Sequence, residues 1–329
     1  MEAILLAQRL ETAVEQFVVV CDQADTSFGY FSELSGHLSL LISAIYKAET
    51  NCSREQILAV LEPARAIVAR SNFLARLQSW PRGYQGDFET IEHLIAQKNT
   101  SEPGTAHYWL EQHVLGSTMS QQHRNKISMQ AMEIIQQAAM ARQDGRKRRV
   151  LVIACGGSAD IYSVKDILGN AFLEIVINDI DEGAISYSLE RLNALGGRIN
   201  AEQGNILLKL KDLSRQAPFD LILTGGLYDY LTDAQAAKLT RFSCAHLLAP
   251  DGAFVFTNLS TNNPVRPWLE YLVDWHMYYR TEEMIDNMLI RHGVHDAQVV
   301  HRRDSTGHAI ITRVRNLARS DQFEHENRG

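Results

Sequence analysis

At 329 residues the chain is too long for one ordinary hydrophobic core, so its length predicts two domains. Its 45% hydrophobic and 22% charged content is globular, and 32 basic against 39 acidic residues leave a net charge of −7. That balance gives no general attraction to phosphate backbones, which argues against nucleic acid as a partner. No apolar run is long enough to span a bilayer, so no membrane role is expected.

Residues 1–147 carry apolar side chains at helical spacing and predict an all-helical N-terminal domain. Met1-Glu2-Ala3-Ile4 does not read as a signal peptide. Leu5, Leu6, Leu10, Val14, Phe17 and Val18 form one stripe, which faces either the domain interior or a second copy of the chain; a homodimer is therefore open. Leu38, Leu41, Ile42 and Ile45 form another. Ser53-Arg54-Glu55-Gln56 has the form of a capping box and starts a third helix, in which Pro63 predicts a kink or a split. Trp80 to Asp87 (WPRGYQGD) contains two glycines and a proline and predicts a shaped loop. After a second break at 99–104, a long helix is expected over 106–142, interrupted near Gly116 and ended by Asp144-Gly145. The basic run Arg146-Lys147-Arg148-Arg149 reads as a solvated linker.

From residue 149 strands and helices alternate. Short, continuously apolar runs at 150–154, 173–178, 219–223 and 253–257, with a weaker one at 199–203, predict strands buried on both faces. The fold class expected is therefore α/β, a Rossmann-like doubly wound sheet. Residues 297–303 and 308–314, joined by Asp304-Ser305-Thr306-Gly307, predict a C-terminal antiparallel hairpin. The division expected is 1–147, 148–316 and a disordered tail at 317–329. Cys21, Cys52, Cys155 and Cys244 lie far apart and form no CxxC pair, which fits a reducing, cytoplasmic setting without a zinc site.

The first strand ends in Ala154-Cys155-Gly156-Gly157-Ser158, where glycines let a ligand approach the backbone closely. The second ends in Asn178-Asp179-Ile180-Asp181. Asp179 follows Gly157 by 22 positions, the spacing of an acid that accepts hydrogen bonds from a ribose. Either aspartate could instead cap the next helix; the expectation is that Asp179 takes the ribose and Asp181 caps. A nicotinamide cofactor would use the same features, but the third glycine of GxGxxG is missing and the sheet ends in a hairpin.

With Gly204-Asn205-Ile206 after the third strand, this order resembles the class I S-adenosylmethionine-dependent methyltransferases over about residues 148–316. The resemblance implies S-adenosyl-L-methionine as cofactor. It places Gly156 and Gly157 around the methionine part, Asp179 with its neighbour Ile180 at the ribose, and Asn205 and Ile206 at the adenine. Asn205 stands where many members have aspartate, and its amide can still bond the adenine amino group. Trp80–Ile91, Gly225–Leu231 (GGLYDYL) and Trp275–Met284 are similar to a narrower bacterial group with a helical N-terminal domain. That group includes enzymes related to 3-hydroxypalmitate methyl ester formation. It is also similar to enzymes that cyclise S-adenosylmethionine to azetidine-2-carboxylate. Gly225 joins the cofactor-binding set on this basis.

Tyr84, Tyr228, Tyr230, Tyr278 and Tyr279 are candidates to face the sulfonium, a cation that aromatic faces stabilise by ~0.5–2 kcal/mol each. Core packing is the alternative, and it is stronger for Tyr278 and Tyr279, which fall on a predicted helix. The Gly83–Asp87 loop is expected to act as a lid. Asp87 either pairs with the cofactor ammonium or caps the helix starting at Phe88. Arg280 is the candidate clamp for a substrate carboxylate and Arg124 for the cofactor's, with surface salt bridges as the alternative. His107, His113, His123 and His276 show no HxxxH or HExxH spacing, so no metal is expected.

The function expected is methyl transfer to a small-molecule carboxylate or hydroxyl, with Tyr84, Asp87, Tyr228 and Arg280 as catalytic candidates. One alternative is cyclisation, in which the cofactor's own amine displaces methylthioadenosine. Another is a non-catalytic S-adenosylmethionine-binding module whose helical domain binds a protein.

Overall fold

A computed structural model describes residues 2–169, 171–295 and 297–316; the tail expected at 317–329 lies outside the described residues. The chain divides into two compact units. The helical unit is Met1–His123 with Asn262–His276, and the sheet unit is Arg124–Thr261 with Met277–Gly329. Among the described residues no helix is long and apolar enough to cross a membrane.

The N-terminal helices are α1 (Glu2–Asp22), α2 (Phe28–Ala48), α3 (Arg54–Val68), α4 (Asn72–Ser79), α5 (Phe88–Ala96), α6 (Ala106–Gly116) and α7 (Thr118–Asp144). Leu10, Val14, Phe17, Leu38, Leu41 and Ile45 are buried and form the core side of the predicted stripes. Ser53 and Gln56 close the capping box at the start of α3. The helix then runs through Pro63 without splitting. A missing N–H removes one ladder bond, and burial of Leu61, Ala64 and Ile67 on either side holds the turn. Gly116 does end α6, and the Ser117 hydroxyl then accepts from Ser120 N–H at 3.2 Å to start α7.

The unit boundaries differ from a cut at 147. Within the sheet unit Ala131, Ile134 and Ala138 of α7 pack under the strands, so that part of the helix belongs to the sheet core. Residues 262–276 belong to the helical unit because its long side chains hold their backbone. Arg54 donates to Glu270 O at 2.7 Å, Arg65 to Tyr271 O at 2.5 Å, and Gln78 to Leu272 O at 2.7 Å.

The sheet contains β1 (Arg148–Ile153), β2 (Leu173–Asp179), β3 (Ile199–Gln203), β4 (Phe219–Thr224), β5 (Leu248–Leu259), β6 (Ala297–Arg303) and β7 (Ala309–Asn316). Its order is β3-β2-β1-β4-β5-β7-β6. The first five strands in that order are parallel, whereas β7 is antiparallel to both β5 and β6. The intervening helices are α8 (Ala159–Leu168), α9 (Glu182–Arg191), α10 (Ile206–Ser214), α11 (Asp233–Phe242) and α12 (Glu282–Arg291). One buried cluster joins one sheet face to α7, α8 and α9; the other joins the opposite face to α10, α11 and α12. This is the Rossmann-like doubly wound fold with a C-terminal hairpin. Strand order reverses between β1 and β4, where such sheets bind ligands at the strands' carboxyl ends.

In the run 146–149, Arg146 and Lys147 are exposed ahead of the sheet, as a solvated linker would be, whereas Arg148 and Arg149 belong to β1. Arg146 and Arg148 pair with Asp220, and Lys147 and Arg149 with Glu174, so carboxylates of neighbouring strands draw the run towards the start of β1.

In the helical unit Glu111 is fully buried and accepts from Ser71 Oγ at 2.9 Å, Ser101 Oγ at 2.6 Å, Thr100 N–H at 2.8 Å and His93 Nε2 at 3.1 Å. Burial alone would raise its carboxyl pKa, but the bonds from His93, Ser101, Thr100 and Ser71 outweigh it and hold the group down at about 2. A depressed folded-state pKa stabilises above the unfolded value and is lost as pH falls through the folded one. Glu111→Gln is expected to cost about 3 kcal/mol at neutral pH. Urea denaturation should show that gap narrowing as pH falls from 5 towards 2; a gap independent of pH would contradict this reading.

Candidate functional site

The turn after β1 is built from left-handed residues. Ala154, Gly156 and Ser158 have φ of 51°, 52° and 52°. The conformation is easy for glycine and strained for the other two, so the surroundings must impose it. Cys155 N–H donates to Asn178 O at 3.0 Å, and Ser158 N–H to Cys155 O at 2.8 Å. The Ser188 hydroxyl of α9 donates to Gly156 O at 2.8 Å, and Arg191 donates to Gly157 O at 2.7 Å. That guanidinium lies over the Tyr162 ring, 4.2 Å from its centroid. The turn is thus fixed from β2, α8 and α9.

Asp179 faces this turn. Gly156 N–H donates to its Oδ2 at 2.8 Å and Asp181 N–H to its Oδ1 at 3.0 Å. Burial raises its pKa, and the neighbouring Asp181 charge adds to the rise against those N–H bonds. Asp181 caps α9 through Gly183 N–H at 2.8 Å, as expected. The side chain of Ile180 is 56% exposed beside these acids, and Gln203 Nε2 holds its carbonyl at 2.9 Å. Asn205 caps α10, its Oδ1 accepting from Leu207 N–H at 2.9 Å. The Ile206 side chain is buried in the core with Leu210 and Ile222, which leaves its backbone as the part that could border an adenine.

Gly225 follows β4. A Cβ there would overlap the Oε1 of Gln130, so only glycine lets α7 come this close. Gln130 Nε2 in turn donates to Asp160 Oδ2 at 3.2 Å. The sequence reading missed Gln130 and Asp160. The usable signal for Gln130 is Gly225, a glycine ending a central strand; on α7 both Lys126 and Gln130 are buried. Arg124 stands on the same helix, half-buried, with its pKa lowered by burial. Thr224 Oγ1, next to Gly225, is buried with no protein partner.

Two catalytic candidates are corrected. Tyr228 is 0% exposed and stacks on Phe256 with ring centroids 3.9 Å apart. Its hydroxyl is hydrogen-bonded to Thr240 Oγ1 at 2.6 Å and donates to Ala236 O at 3.2 Å, so it packs the core. Arg280 is 2% exposed, and its guanidinium N–H groups are engaged by Tyr228 O, Leu231 O, Asn258 Oδ1 and Asp233 Oδ1 at 2.6–3.0 Å. It secures the β4–α11 connection and is not free to clamp a substrate.

Asp229 sits beside it, accepting from Lys126 Nζ at 3.1 Å, Asn258 Nδ2 at 2.9 Å and Leu259 N–H at 2.7 Å. Residues 277–280 are extended rather than helical, because Tyr278 N–H donates to Asp229 O at 2.7 Å and Arg280 N–H to Leu259 O at 2.9 Å. Tyr278 and Tyr230 are 50% and 37% exposed, and Tyr279 is half-buried.

The shaped loop lies in the helical unit. Trp80, Gly83 and Gly86 are left-handed, and Tyr84 is half-buried. Asp87 is 2% exposed; it caps α5 through Thr90 N–H at 2.9 Å and pairs with Arg76 at 2.8 Å. Its carboxylate thus follows the capping expectation, and the ammonium role is withdrawn. Among the described residues no group of three or more His, Cys, Asp or Glu is placed to hold a metal.

No family model matches the chain, and no curated protein matches it. Solved structures share its fold. A possible exported protein from Bordetella parapertussis is 18% identical with a TM-score of 0.57, covering 82% of this chain and 99% of its own. Two methyltransferases resemble it more weakly. A glycopeptide N-methyltransferase complexed with S-adenosyl-L-methionine is 14% identical with a TM-score of 0.39, covering 58% of this chain and 94% of its own. The magnesium protoporphyrin IX methyltransferase of Synechocystis PCC 6803 with bound SAH is 12% identical with a TM-score of 0.42, covering 60% and 87%.

Two measurements check these assignments. Gly225→Ala should cost about 1–2 kcal/mol by displacing Gln130, and the cost should shrink in a Gln130→Ala background; an additive double mutant would contradict the contact. Arg280→Met leaves buried carbonyls and Asn258 unpaired and should lower stability by about 3 kcal/mol. Unchanged denaturation with a changed substrate KM would restore the clamp.

Proposed function

We propose that the chain is an S-adenosylmethionine-dependent enzyme that binds this cofactor at the carboxyl ends of β1, β2 and β4 and moves its methyl group to a small-molecule acceptor. The observation that carries the reading is the pairing of the left-handed Gly156 with Asp179 at 2.8 Å, across the point where strand order reverses. It fixes a buried carboxylate whose oxygens each keep a lone pair for the hydroxyls of a ribose. Exposed Ile180 adds an apolar surface suited to a purine, and Asn205 keeps an amide for its edge. The bare backbone at Gly225 and the orphaned Thr224 hydroxyl fit a ligand lying against the end of β4. Asp160 with Gln130 suits an α-ammonium, and Arg124 suits an α-carboxylate.

When bound, the cofactor supplies a methyl group on a sulfonium centre that an aligned nucleophile can displace. The residues of the chain hold and orient the reactants and exclude water. An acceptor carboxylate arrives ionised and needs no base, whereas a hydroxyl needs one. Because the Arg280 guanidinium is engaged inside the fold, an acceptor must be oriented by other groups. Within the methyltransferases, the stretches at 80–91, 225–231 and 275–284 favour the group related to 3-hydroxypalmitate methyl ester formation.

Mass spectrometry of the purified chain with S-adenosylmethionine tests this reading. S-adenosylhomocysteine is expected once carboxylic or hydroxylated metabolites are added. Methylthioadenosine with a four-membered imino acid, formed from the cofactor alone, would replace transfer by cyclisation. Asp179→Ala should weaken cofactor binding in calorimetry by about 10–100-fold, the loss of charge-assisted hydrogen bonds worth about 1.5–3 kcal/mol. An unchanged affinity would remove Asp179 from the site.

A further inference from the structure

A second concavity in the sheet unit lies away from the glycine turn. It has a volume of about 460 Å³ and is lined by Lys238 and Arg241 of α11, Arg291 and His292 at the end of α12, and His295 beyond it. Among the described residues no acidic side chain lines it. Among the described residues none of Lys238, Arg241 and Arg291 is paired with a carboxylate. Nearby arginines are different: Arg280 holds Asp233 and Arg303 holds Glu282. Gly293, with φ of 86°, turns the chain so that a Cβ on it would lie 3.7 Å from Arg241 Nη1.

Like charges gathered around a cavity repel one another, and in a chain of net charge −7 they are the opposite of the average surface. Helix dipoles account for part of the pattern, since Arg241 and Arg291 stand in last turns, where a cation is favoured. They do not account for Lys238, in the middle of α11, or for His295, past the end of α12. A guanidinium fork meets two phosphate oxygens at once and an ammonium adds a point charge. The volume lies within the ~300–1,000 Å³ range of small-molecule sites.

We propose that this cavity binds the phosphate groups of a soluble phosphorylated molecule of about nucleotide size. It is separate from the candidate cofactor site. Its lining, which also includes Ala234 and Gly293, shares no residue with the glycine turn, with Asp179 or with Gly225.

The test uses inorganic diphosphate as the probe in calorimetry with the full chain at low ionic strength. Saturable binding is expected. The variant Arg241→Gln with Arg291→Gln should weaken it at least tenfold and leave S-adenosylmethionine binding and the melting temperature unchanged. Lys238→Gln alone should weaken it less. The proposal fails if the natural chain shows no saturable binding, if both variants bind as it does, or if sodium chloride at equal ionic strength reproduces the heat. Tighter capture by phosphatidylglycerol vesicles than by diphosphate would transfer the site to a lipid headgroup and overturn the soluble ligand.

Discussion

The connections leaving β4 and β5 converge on a carboxylate that no solvent reaches. Asp229 is 2% exposed, and its oxygens are met by Lys126 from α7, Asn258 from β5 and the N–H of Leu259. A buried ion pair contributes little net stability, but removing one partner costs about 3–5 kcal/mol because the other charge stays buried alone. Each element that supplies a partner is therefore held in register by the rest. Arg280 extends the constraint by gathering Tyr228 O, Leu231 O and Asn258 Oδ1, so the β4–α11 connection cannot shift without stranding several buried polar groups. This polar lock sits beside the carboxyl ends of β4 and β5 and holds the backbone that carries Thr224 and Gly225.

The other wall of the site is held differently. The turn 154–158 carries strain at Ala154 and Ser158, and its carbonyls are pinned by Ser188 and Arg191 while Gly156 N–H is drawn onto Asp179. Such strain persists only where surrounding bonds over-determine the backbone. Its effect is to aim N–H groups and a bare backbone at the place where the strand order reverses. One wall relies on buried charge and the other on backbone conformation, and both are fixed by bonds within the fold.

Much of this fold is legible in the sequence. Apolar runs of strand length separated by helical segments lead directly to the parallel sheet, and Asp304 to Gly307 marks the closing hairpin. The glycine turn and Asp179 are also legible, because their conformational demand is local. Arg280 and Tyr228 were misread for the opposite reason. An arginine that clamps a substrate and one that ties down carbonyls have the same local sequence; only burial and partners from residues 228–258 separate them. Residues 277–280 show the same effect on secondary structure, since their N–H bonds to the carbonyls of Asp229 and Leu259, with the bond that Asn258 donates to Tyr278 O, override their helical spacing. Gln130 was hidden because a glutamine on a long helix carries no local mark of burial. Gly225 was the residue that could have exposed it, since a glycine ending a central strand signals a close approach whose partner lies elsewhere in the chain.

The correction of Arg280 and Tyr228 also narrows the chemistry. With both engaged inside the fold, the carboxylates at the strand ends are Asp179 and Asp181 after β2 and Asp160 in the first turn of α8. Under the proposed reading, carboxylates gathered in this way suit a ligand that brings hydroxyls and an ammonium, as an amino acid joined to a nucleoside does. They are poorly matched to the charges of a dinucleotide diphosphate. The electrostatics of the strand ends thus agree with the missing third glycine in favouring S-adenosylmethionine over a nicotinamide cofactor. They do so independently of any resemblance, because they follow from the carboxylates gathered at these strand ends.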